Sequence, residues 1–324
     1  MSYKLSICIP TYNRARFIPD AIDSILSQAT DEVEIVVSDN ASTDNTQDII
    51  VEYQKSNKNL KYFRHSENVG PDKNFQKLIE LSKGEYCIIL GSDDWFENGA
   101  ITNLLKVLRD ISIEKQVTGM TYVFNHYTIE KEKIYTPPHS GQITKLISKE
   151  IIYEYQYIGY RFGYISAHVF NREKALYVLK NCKIYDNFYS IRHLLSHMVN
   201  IYEEWYFYDY PIVAWRTGND SFAAQGLYKR FLIDLLGYEE IVSQVFGKKS
   251  IIYKRFMNNQ LTACTRDYVL RAKQCEFDER LKIYISAFKK LSGYPNFWIS
   301  VLPIYFVPRR WLPYVKKIYK KIKK

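Results

Sequence analysis

Short apolar runs alternate with helix-like stripes along the first third of the chain. The runs cover residues 5–10, 34–39, 60–64 and 86–90, and each ends in turn-forming residues, which is typical of a buried strand. Between them, apolar side chains recur at the spacing of one helix face, and a further stripe covers 100–108. This alternation predicts βαβ units and an α/β fold, with a mostly parallel central sheet flanked by helices.

The pattern changes from about residue 117. Strand-like runs at 119–127, 163–170 and 205–215 are separated by loops and by helical segments at 145–155 and 188–199. From Gly226 onward the chain is typical of helices, at 227–245, 251–272 and 279–291. We therefore divide the chain into residues 1–115, residues 116–225 and a mainly helical extension over residues 226–324.

The net charge of +10 over 324 residues is concentrated at one end. Residues 301–324 contain eight lysines or arginines, no acidic residue and several aromatic side chains, so residues 1–300 are nearly neutral. A basic and aromatic tail is typical of contact with a membrane surface, and a solvated charged terminus is the alternative. No nucleic acid partner is expected, because no nucleic-acid-binding module accompanies the basic residues.

Export and membrane insertion are not expected. The first ten residues lead directly into a strand, so no signal peptide is predicted. The five cysteines lack a C-x-x-C pair and are typical of reduced thiols in a cytoplasmic protein. The apolar run near 297–307 contains Pro303 and is too short to cross a bilayer.

The fourth apolar run ends in two adjacent carboxylates, Asp93 and Asp94. In an open α/β sheet the ligand crevice lies off the carboxyl ends of the strands. Two like charges at that edge need a cation, and Mg²⁺ bound by one or two carboxylates commonly carries substrate phosphates. The alternative is an ordinary solvated turn, in which Asp is frequent.

Polar clusters follow the other predicted strands, at residues 10–14, 38–45 and 68–74. They are rich in Asp, Asn and hydroxyl side chains, with an aromatic ring at Tyr12 and a cation at Arg14. The sequence lacks both G-x-G-x-x-G and the P-loop motif, which argues against a dinucleotide-binding or P-loop protein. The groups present suit a nucleoside diphosphate, with carboxylates or amides for base and ribose, a ring over the base and a metal at the phosphates.

Four motifs at these strand ends resemble those of family-2 glycosyltransferases. They are Ile9-Pro10-Thr11-Tyr12-Asn13-Arg14, Val37-Ser38-Asp39-Asn40-Ala41-Ser42-Thr43-Asp44, Glu67-Asn68-Val69-Gly70 and Leu90-Gly91-Ser92-Asp93-Asp94. The chain is most similar to the abequosyltransferase-like branch of bacterial surface-polysaccharide assembly, closely over residues 4–110 and more loosely to about 222. The resemblance implies a GT-A fold, a nucleotide-diphospho-sugar donor and transfer with inversion at the anomeric carbon.

The resemblance also implies roles for individual residues. The donor would be bound by Pro10, Thr11, Tyr12, Arg14, Asp39, Ser42, Asp44, Asn68, Lys73, Ser92 and Asp93. Within that set, Asp39 would contact the base, and Asn68 and Lys73 would approach the ribose or diphosphate. Asp94, together with Asp93, would ligate Mg²⁺ or Mn²⁺. Many relatives carry an acidic residue where this chain has Gly91, so weaker dependence on metal is an open alternative.

An inverting transfer needs a carboxylate that accepts the proton of the acceptor hydroxyl. The family places it at the start of a helix, about twenty residues before a strand that ends in arginine, which here indicates Asp186 and Arg216. Capping of the helix is the alternative role for Asp186. Arg216 would hold the diphosphate or an acceptor group, with an ion pair to the loop as its alternative. His193 and His197, four residues apart, are more typical of packing or acceptor contact than of metal binding.

By the same resemblance, residues 1–115 and 116–225 would be the donor-binding and acceptor-binding halves of the GT-A domain. The acceptor would be a glycan carried on polyprenyl diphosphate at the cytoplasmic face of the membrane, in O-antigen or capsule-like biosynthesis. A processive synthase would need membrane helices and a Q-x-x-R-W motif, and the sequence predicts neither. A nucleotidyltransferase would need a Gly-rich basic loop near its start, which the sequence also lacks. A non-catalytic, membrane-associated scaffold with a degenerate sugar-nucleotide pocket is the alternative function.

Overall fold

The computed structural model describes residues 3–112, 117–146, 163–184, 186, 188–202, 204–219 and 226–311. The chain forms two compact units, Met1–Asn219 and Asp220–Lys324. The predicted helix at 145–155 is wrong at its start, because residues 145–146 belong to a strand, and its remaining residues lie outside the described part. The basic segment after residue 311 also lies outside it.

The described residues of the first unit form ten strands and six α-helices, which are intermixed along the chain. The strands are β1 Leu5–Thr11, β2 Val33–Asp39, β3 Leu60–Arg64, β4 Tyr86–Ile89, β5 Trp95–Phe96, β6 Gly119–Tyr127, β7 Lys133–Tyr135, β8 Ile143–Leu146, β9 His168–Asn171 and β10 Trp205–Arg216. The helices are α1 Ile18–Leu26, α2 Thr46–Ser56, α3 Pro71–Leu81, α4 Ala100–Ser112, α5 Arg172–Asn181 and α6 Ser190–Ile201. The predicted α/β fold, with a central sheet flanked by helices, is confirmed.

The strands form one mixed sheet in the order β3-β2-β1-β4-β9-β6-β10-β5, with β7 beside β6 and β8 beside β10. β1 pairs in parallel with β2 and with β4, and β2 pairs in parallel with β3. The carboxyl ends of these first four strands therefore meet at one edge, where Thr11 lies directly opposite Asp39. The alternating hydrophobic pattern predicted this arrangement.

The ninth strand runs the opposite way. β9 pairs antiparallel with β4, so that Ile88 lies opposite Val169, and antiparallel with β6. The residues that precede β9, a 3₁₀ turn at Ile165–Ala167, consequently lie beyond the carboxyl end of β4. β10, which runs parallel to β6, ends at Arg216 beside the two-residue strand β5. The residues after β4, the turn before β9 and the end of β10 thus lie close together, although they are distant in the chain.

The core of the first unit lies on both faces of the central strands. All seven residues of β1 are buried. Leu5, Ile7 and Ile9 pack in one cluster with apolar residues of α1 and α4, while Cys8 Sγ, on the other face, lies 3.9 Å from Leu78 O of α3. Successive side chains of a strand point to opposite faces, which is why this strand is apolar throughout.

The second unit is helical over its described residues, with α7 Leu227–Phe246, α8 Ile251–Phe256, α9 Thr262–Ala272, α10 Phe277–Leu291, α11 Pro295–Ser300 and α12 Leu302–Phe306. The single helix predicted for 251–272 is interrupted by a π-helical turn at Met257–Leu261, and a short 3₁₀ turn covers Arg309–Trp311. Within the described ranges, no helix has both the length and the hydropathy needed to span a membrane.

Candidate active site

The loops that follow β1 and β2 are locked together by side-chain hydrogen bonds. Asn13 and Ala41 have φ values of 54° and 61°, in the left-handed region that few residues other than glycine adopt. The amide of Asn13 donates to Ser42 Oγ (2.9 Å), and the amide of Thr43 donates to Asn13 Oδ1 (2.7 Å). These reciprocal contacts stabilise both unusual backbone conformations, so the polar motifs form one rigid rim.

Asp39 lies beneath this rim and is fully buried. Its Oδ1 accepts hydrogen bonds from the amide (2.8 Å) and the hydroxyl (2.5 Å) of Ser42. Its Oδ2 accepts one from the Tyr62 hydroxyl (2.8 Å) and lies 3.6 Å from Arg64 Nε. The carboxylate therefore fixes the loop after β2. Its predicted contact with the base stays a prediction.

Asp44 connects the same rim to α2. Its carboxylate accepts from the amide of Ala15 (3.0 Å), and from the amide (3.1 Å) and hydroxyl (2.5 Å) of Thr46. Burial acts to raise the pKa of Asp44, but these hydrogen bonds outweigh it and lower the pKa below its ordinary value. The side chain is exposed and charged at neutral pH, at the start of a helix, where negative charge is favourable.

The motif after β3 contacts the rim through two asparagines. Asn40 Nδ2 donates to Asn68 Oδ1 (2.8 Å), and the amide of Val69 donates to Asn40 Oδ1 (2.8 Å). Gly70, with φ of 85°, then turns the chain into α3, which begins at Pro71. Lys73 is exposed in the first turn of α3. Asn68 and Lys73 thus follow β3 at the edge that the sequence predicted.

The residues predicted to line the nucleoside pocket differ in exposure. Pro10 and Thr11 are buried at the end of β1, while Tyr12 is exposed and Arg14 is partly exposed. Thr11 Oγ1 is buried and has no hydrogen-bond partner within the described part of the chain. A buried hydroxyl without a partner is costly, and it marks a position where a ligand can supply the missing hydrogen bond.

Asp94 is buried beyond the end of β4 and is held by three donors. Its Oδ2 accepts from the hydroxyls of Tyr164 and Ser166, both at 2.6 Å, and its Oδ1 accepts from the amide of Arg216 at 3.1 Å. Tyr164 and Ser166 come from the segment before β9. No local sequence pattern signals these two residues, because they are some seventy positions from Asp94 and precede a short strand.

Asp93 is partly exposed, and its carboxylate has a single described hydrogen bond, from Asn219 Nδ2 to Oδ2 (2.7 Å). Burial, followed by the negative charge of Asp93, raises the pKa of Asp94 to about 7. In the described residues, no Lys or Arg side chain forms an ion pair with either carboxylate. Among the described residues, the pair therefore has no ion-pair partner at the sheet edge.

Gly91 leaves room for this arrangement. A Cβ atom at position 91 would lie 2.7 Å from Asp94 Oδ2, which is closer than Cβ atoms pack, and 3.2 Å from Asp93 Oδ1, which is a tight contact. The amide of Gly91 also donates to Ser166 Oγ (2.9 Å). A side chain at position 91 would therefore require the two carboxylates to shift, and Ser92 is buried next to them.

Arg216 is buried at the end of β10 and has partners for each nitrogen of its guanidinium. Nε donates to Asp93 O (2.8 Å), Nη1 to Ile129 O (2.5 Å) and Nη2 to Asp20 Oδ2 (2.6 Å). Its guanidinium carbon lies 5.0 Å from the ring centre of Phe17 and 4.8 Å from that of Trp95. This geometry favours positioning of the Asp93 backbone. The predicted contact of Arg216 with diphosphate stays a prediction.

Asp186 is exposed, close to the beginning of α6. The amides at that end donate to another carboxylate, from Phe188 to Asp72 Oδ2 (2.7 Å) and from Ser190 to Asp72 Oδ1 (3.0 Å). Burial raises the pKa of Asp72, and the charge of Asp186 adds to that shift. Asp72, in the first turn of α3, holds the start of α6, and the sequence did not indicate this role. The role of Asp186 as base stays a prediction.

His193 and His197 stack on one face of α6, with ring centres 4.9 Å apart. In the described portion of the chain, no three His, Cys, Asp or Glu residues gather into a metal site. A divalent cation that also binds substrate phosphates needs only one or two carboxylates. Asp93 and Asp94 fit that requirement, because a carboxylate has about four lone-pair sites and not all of theirs accept described hydrogen bonds.

We expect His193 to destabilise the folded protein progressively as the pH falls from neutral towards 4, an effect opposed by Asp94, whose raised pKa stabilises the folded protein over the same range. Burial, followed by the charge of His197, lowers the pKa of His193 to about 4. In the unfolded chain His193 binds a proton near pH 6.5, whereas in the folded chain it does so only near pH 4. The contribution of His193 therefore makes unfolding easier as the pH decreases. Between about pH 7.5 and about pH 5 this amounts to roughly 2 kcal/mol.

Urea unfolding at both pH values, compared between the wild type and His193→Gln, measures this effect. In His193→Gln the free energy of unfolding at pH 5, relative to that at pH 7.5, should be about 2 kcal/mol higher than in the wild type. His139→Gln, at an exposed position, should leave this difference as it is in the wild type. An unchanged pH dependence in His193→Gln would contradict the prediction.

Two relatives cover most of the chain. The abequosyltransferase RfbV of Salmonella typhimurium is 28% identical over 289 residues, which is 84% of this chain and 84% of the relative. A GalNAc(5)-diNAcBac-PP-undecaprenol beta-1,3-glucosyltransferase of Campylobacter jejuni is 27% identical over 325 residues, 97% of each chain. The predicted similarity to abequosyltransferase-like enzymes is confirmed.

Solved structures show the same fold. The structure of S. aureus TarS 1-349 in complex with UDP-GlcNAc superposes with a TM-score of 0.65 at 17% identity, over 90% of this chain and 82% of that one. A mannosyltransferase from Pyrobaculum calidifontis, in complex with GDP-Man and Mn²⁺, has a TM-score of 0.57 at 14% identity, over 99% and 88%.

The family model described as glycosyl transferase family 2 matches residues 6–175, which include the interlocked loops, Asp93 and Asp94, and Tyr164 and Ser166. The match covers more than half of the chain, so this protein belongs to glycosyl transferase family 2.

Proposed function

We propose that this protein transfers a sugar from a nucleotide-diphospho-sugar to a glycan, with inversion, in the assembly of bacterial surface or lipid-linked polysaccharide. The observation that carries the proposal is the carboxylate pair Asp93–Asp94, which has no ion-pair partner among the described residues and lies beside the interlocked loops after β1 and β2. The relatives named for abequosyl transfer and for glucosyl transfer to a PP-undecaprenol-linked glycan support it.

The interlocked loops supply a preformed surface for the nucleoside. Asp39 and Asp44 hold the backbone of both loops, so little ordering is required when the donor binds. The exposed ring of Tyr12 can cover the base, and the buried hydroxyl of Thr11 offers an unused hydrogen bond. Ser42, Asn68, Lys73 and Arg14 complete the proposed donor site around the ribose and diphosphate.

Mg²⁺ or Mn²⁺ would be held by Asp93 and Asp94, and when bound it would neutralise charge on the diphosphate leaving group. Asp93 has the larger free capacity, since three hydrogen bonds already converge on Asp94 and a single one on Asp93. A mannosyltransferase with this fold binds GDP-Man and Mn²⁺. Arg216 keeps the Asp93 backbone in position through its Nε hydrogen bond.

The proposed base is Asp186. An acceptor hydroxyl attacks the anomeric carbon, the bond from that carbon to the phosphate oxygen breaks, and its electron pair stays on the nucleotide diphosphate. The hydroxyl proton goes to the carboxylate of Asp186, which is exposed and therefore accessible to an acceptor. Asp72 accepts hydrogen bonds from the amides of Phe188 and Ser190, which follow this carboxylate by two and four residues.

Three successive segments of the chain have different proposed roles. Residues 1–115 bind the donor, residues 116–225 bind the acceptor, and the extension over 226–324 brings the enzyme to the cytoplasmic face of the membrane. The eight basic residues in 301–324 support contact with anionic lipid. A lipid-linked acceptor fits that location, in keeping with the named substrate of the Campylobacter relative.

A donor screen tests the proposal. Purified protein is incubated with UDP-, GDP-, CDP- and dTDP-sugars and Mn²⁺, and release of nucleotide diphosphate is measured with and without EDTA. One nucleotide class should give metal-dependent release. If no donor gives release of nucleotide diphosphate, and nucleotide addition does not change the thermal stability, the result would contradict transfer and support the non-catalytic scaffold.

Asp186→Asn is expected to lower the rate by about 10²–10⁴-fold while nucleotide binding stays unchanged, because proton transfer contributes that much and the side chain lies outside the proposed donor site. The rate is measured as nucleotide diphosphate release with the donor that the screen identifies. Asp110→Asn, at an exposed position of α4, is the matched control. A rate within twofold of the control would show that another group accepts the proton.

A further inference from the structure

The second unit contains a cavity of about 270 Å³ that none of the proposed catalytic steps uses. Its cationic lining consists of Lys273, which follows α9, Arg280 of α10, and Arg309 near the end of the described chain. Two stacked tyrosine rings, Tyr284 and Tyr305, form another wall, with ring centres 4.0 Å apart. Three cations therefore share one concave surface.

The three cations are not neutralised by described carboxylates. The ion pairs of this unit join other residues, Arg230 with Asp234, Arg266 with Asp267 and Lys290 with Glu239. Lys273 is 5% exposed, and its ammonium donates to the carbonyls of Tyr305 (3.1 Å) and Val307 (2.7 Å). An ammonium has three donors, so one remains for a ligand.

A further observation indicates that the cavity attracts an anion. Burial, followed by the positive charges of Arg280 and Arg309, lowers the pKa of Lys273 below its ordinary value. An anionic group in the cavity would relieve the repulsion among the three cations.

An exposed apolar stripe extends from the cavity along α10. Phe277 and Leu281, which line the cavity, are followed at helical spacing by Ile285 and Phe288, and these four side chains are 42–62% exposed. Trp298, 48% exposed, continues the stripe, with its ring centre 6.0 Å from that of Phe288. Contiguous exposed apolar side chains of this size mark a surface for interaction.

We propose that this cavity binds the phosphate of an anionic membrane lipid, with the apolar stripe of α10 inserted at the bilayer surface. A free phosphate would leave the stripe in water, whereas a lipid headgroup presents phosphate and hydrocarbon side by side, as the cavity and stripe do. Basic pockets beside apolar helix faces bind anionic lipids in this way. The inference rests on the proposed membrane contact and is independent of sugar transfer.

Vesicle binding of the full chain tests the proposal, with phosphatidylcholine vesicles compared with vesicles that also contain phosphatidylglycerol. Arg280→Gln should weaken binding to the anionic vesicles about fivefold, and Arg280→Gln combined with Arg309→Gln about 25-fold. Lys282→Gln removes the same charge from the same helix, at an exposed position outside the cavity, and should have a smaller effect. Ile285→Ser should weaken binding to both kinds of vesicle. Circular dichroism confirms that each variant is folded.

Several results would overturn the inference. Equal weakening by Arg280→Gln and Lys282→Gln would mean diffuse attraction without a built site. Thermal stabilisation by inorganic phosphate that depends on Arg280, with vesicle binding unaffected, would identify a free anion as the ligand. A dimer that dissociates in Ile285→Ser would show that a second copy covers the stripe. If the wild-type protein binds neither kind of vesicle, both the lipid site and the proposed membrane contact are refuted. Release of nucleotide diphosphate tests sugar transfer separately.

Discussion

Asp93→Asn and Asp94→Asn are each expected to lower sugar transfer by about 10²–10³-fold, a typical loss when one charge-stabilising group is removed from an active site. Asparagine keeps the shape of the side chain but removes the negative charge that holds a divalent cation. At Asp94 the fold should persist, since the hydroxyls of Tyr164 and Ser166 can rotate to accept from the new amide. The loss should therefore appear in catalysis and metal binding.

Release of nucleotide diphosphate during a Mn²⁺ titration, with direct Mn²⁺ binding followed by electron paramagnetic resonance, separates the two carboxylates. Asp93→Asn should raise the Mn²⁺ concentration required for half-maximal rate more than Asp94→Asn does, because fewer described hydrogen bonds occupy Asp93. The exposed Asp110→Asn serves as control. Unchanged Mn²⁺ affinity and rate in both variants would contradict the metal site.

Arg216→Gln is expected to lower the free energy of unfolding by about 3–5 kcal/mol, the usual result of breaking a buried ion pair from one side. The Arg216 side chain is 3% exposed, and its loss leaves Asp20 Oδ2 and the carbonyls of Asp93 and Ile129 without their donors. The contacts of the guanidinium with Phe17 and Trp95 are lost as well. The resulting decrease in Tm should be roughly 10 °C.

The matched control is Arg109→Gln, which breaks an exposed ion pair with Glu32 and should cost less than about 1 kcal/mol. Thermal unfolding and donor KM are measured on the same preparations. If Arg216 binds the diphosphate directly, donor KM rises while stability changes little. That result would contradict the positioning role and support the contact implied by the family resemblance.

The first four strands could be predicted from sequence because both requirements of a buried parallel strand are local. A continuous apolar run supplies the two buried faces, and the polar residues that follow it must lie at the carboxyl edge. Residues 5–10, 34–39, 60–64 and 86–90 satisfied both, and each predicted strand is present within about one residue. The polar motifs at the strand ends could be located for the same reason.

The second half was harder, because its elements depend on partners that are distant in the chain. The segment predicted as a strand at 163–170 begins with a 3₁₀ turn, and only its end pairs, antiparallel, with β4 and β6. Asp72 lies in the first turn of α3, a position where an acidic residue is favourable for local reasons alone. Its partners are the amides of Phe188 and Ser190, more than 110 residues later, and no local pattern signals such a contact.

The sequence by itself determined the fold class, the family and the edge of the sheet at which the polar motifs gather, because hydrophobic periodicity and strand-end motifs act over a few residues. Tertiary structure alone decided how the carboxylates differ. Asp93 and Asp94 are neighbours of the same chemical type, yet one is partly exposed and the other is buried beneath Tyr164, Ser166 and the Arg216 amide. Burial and charge depend on what packs around a group, so chain neighbours can differ in both.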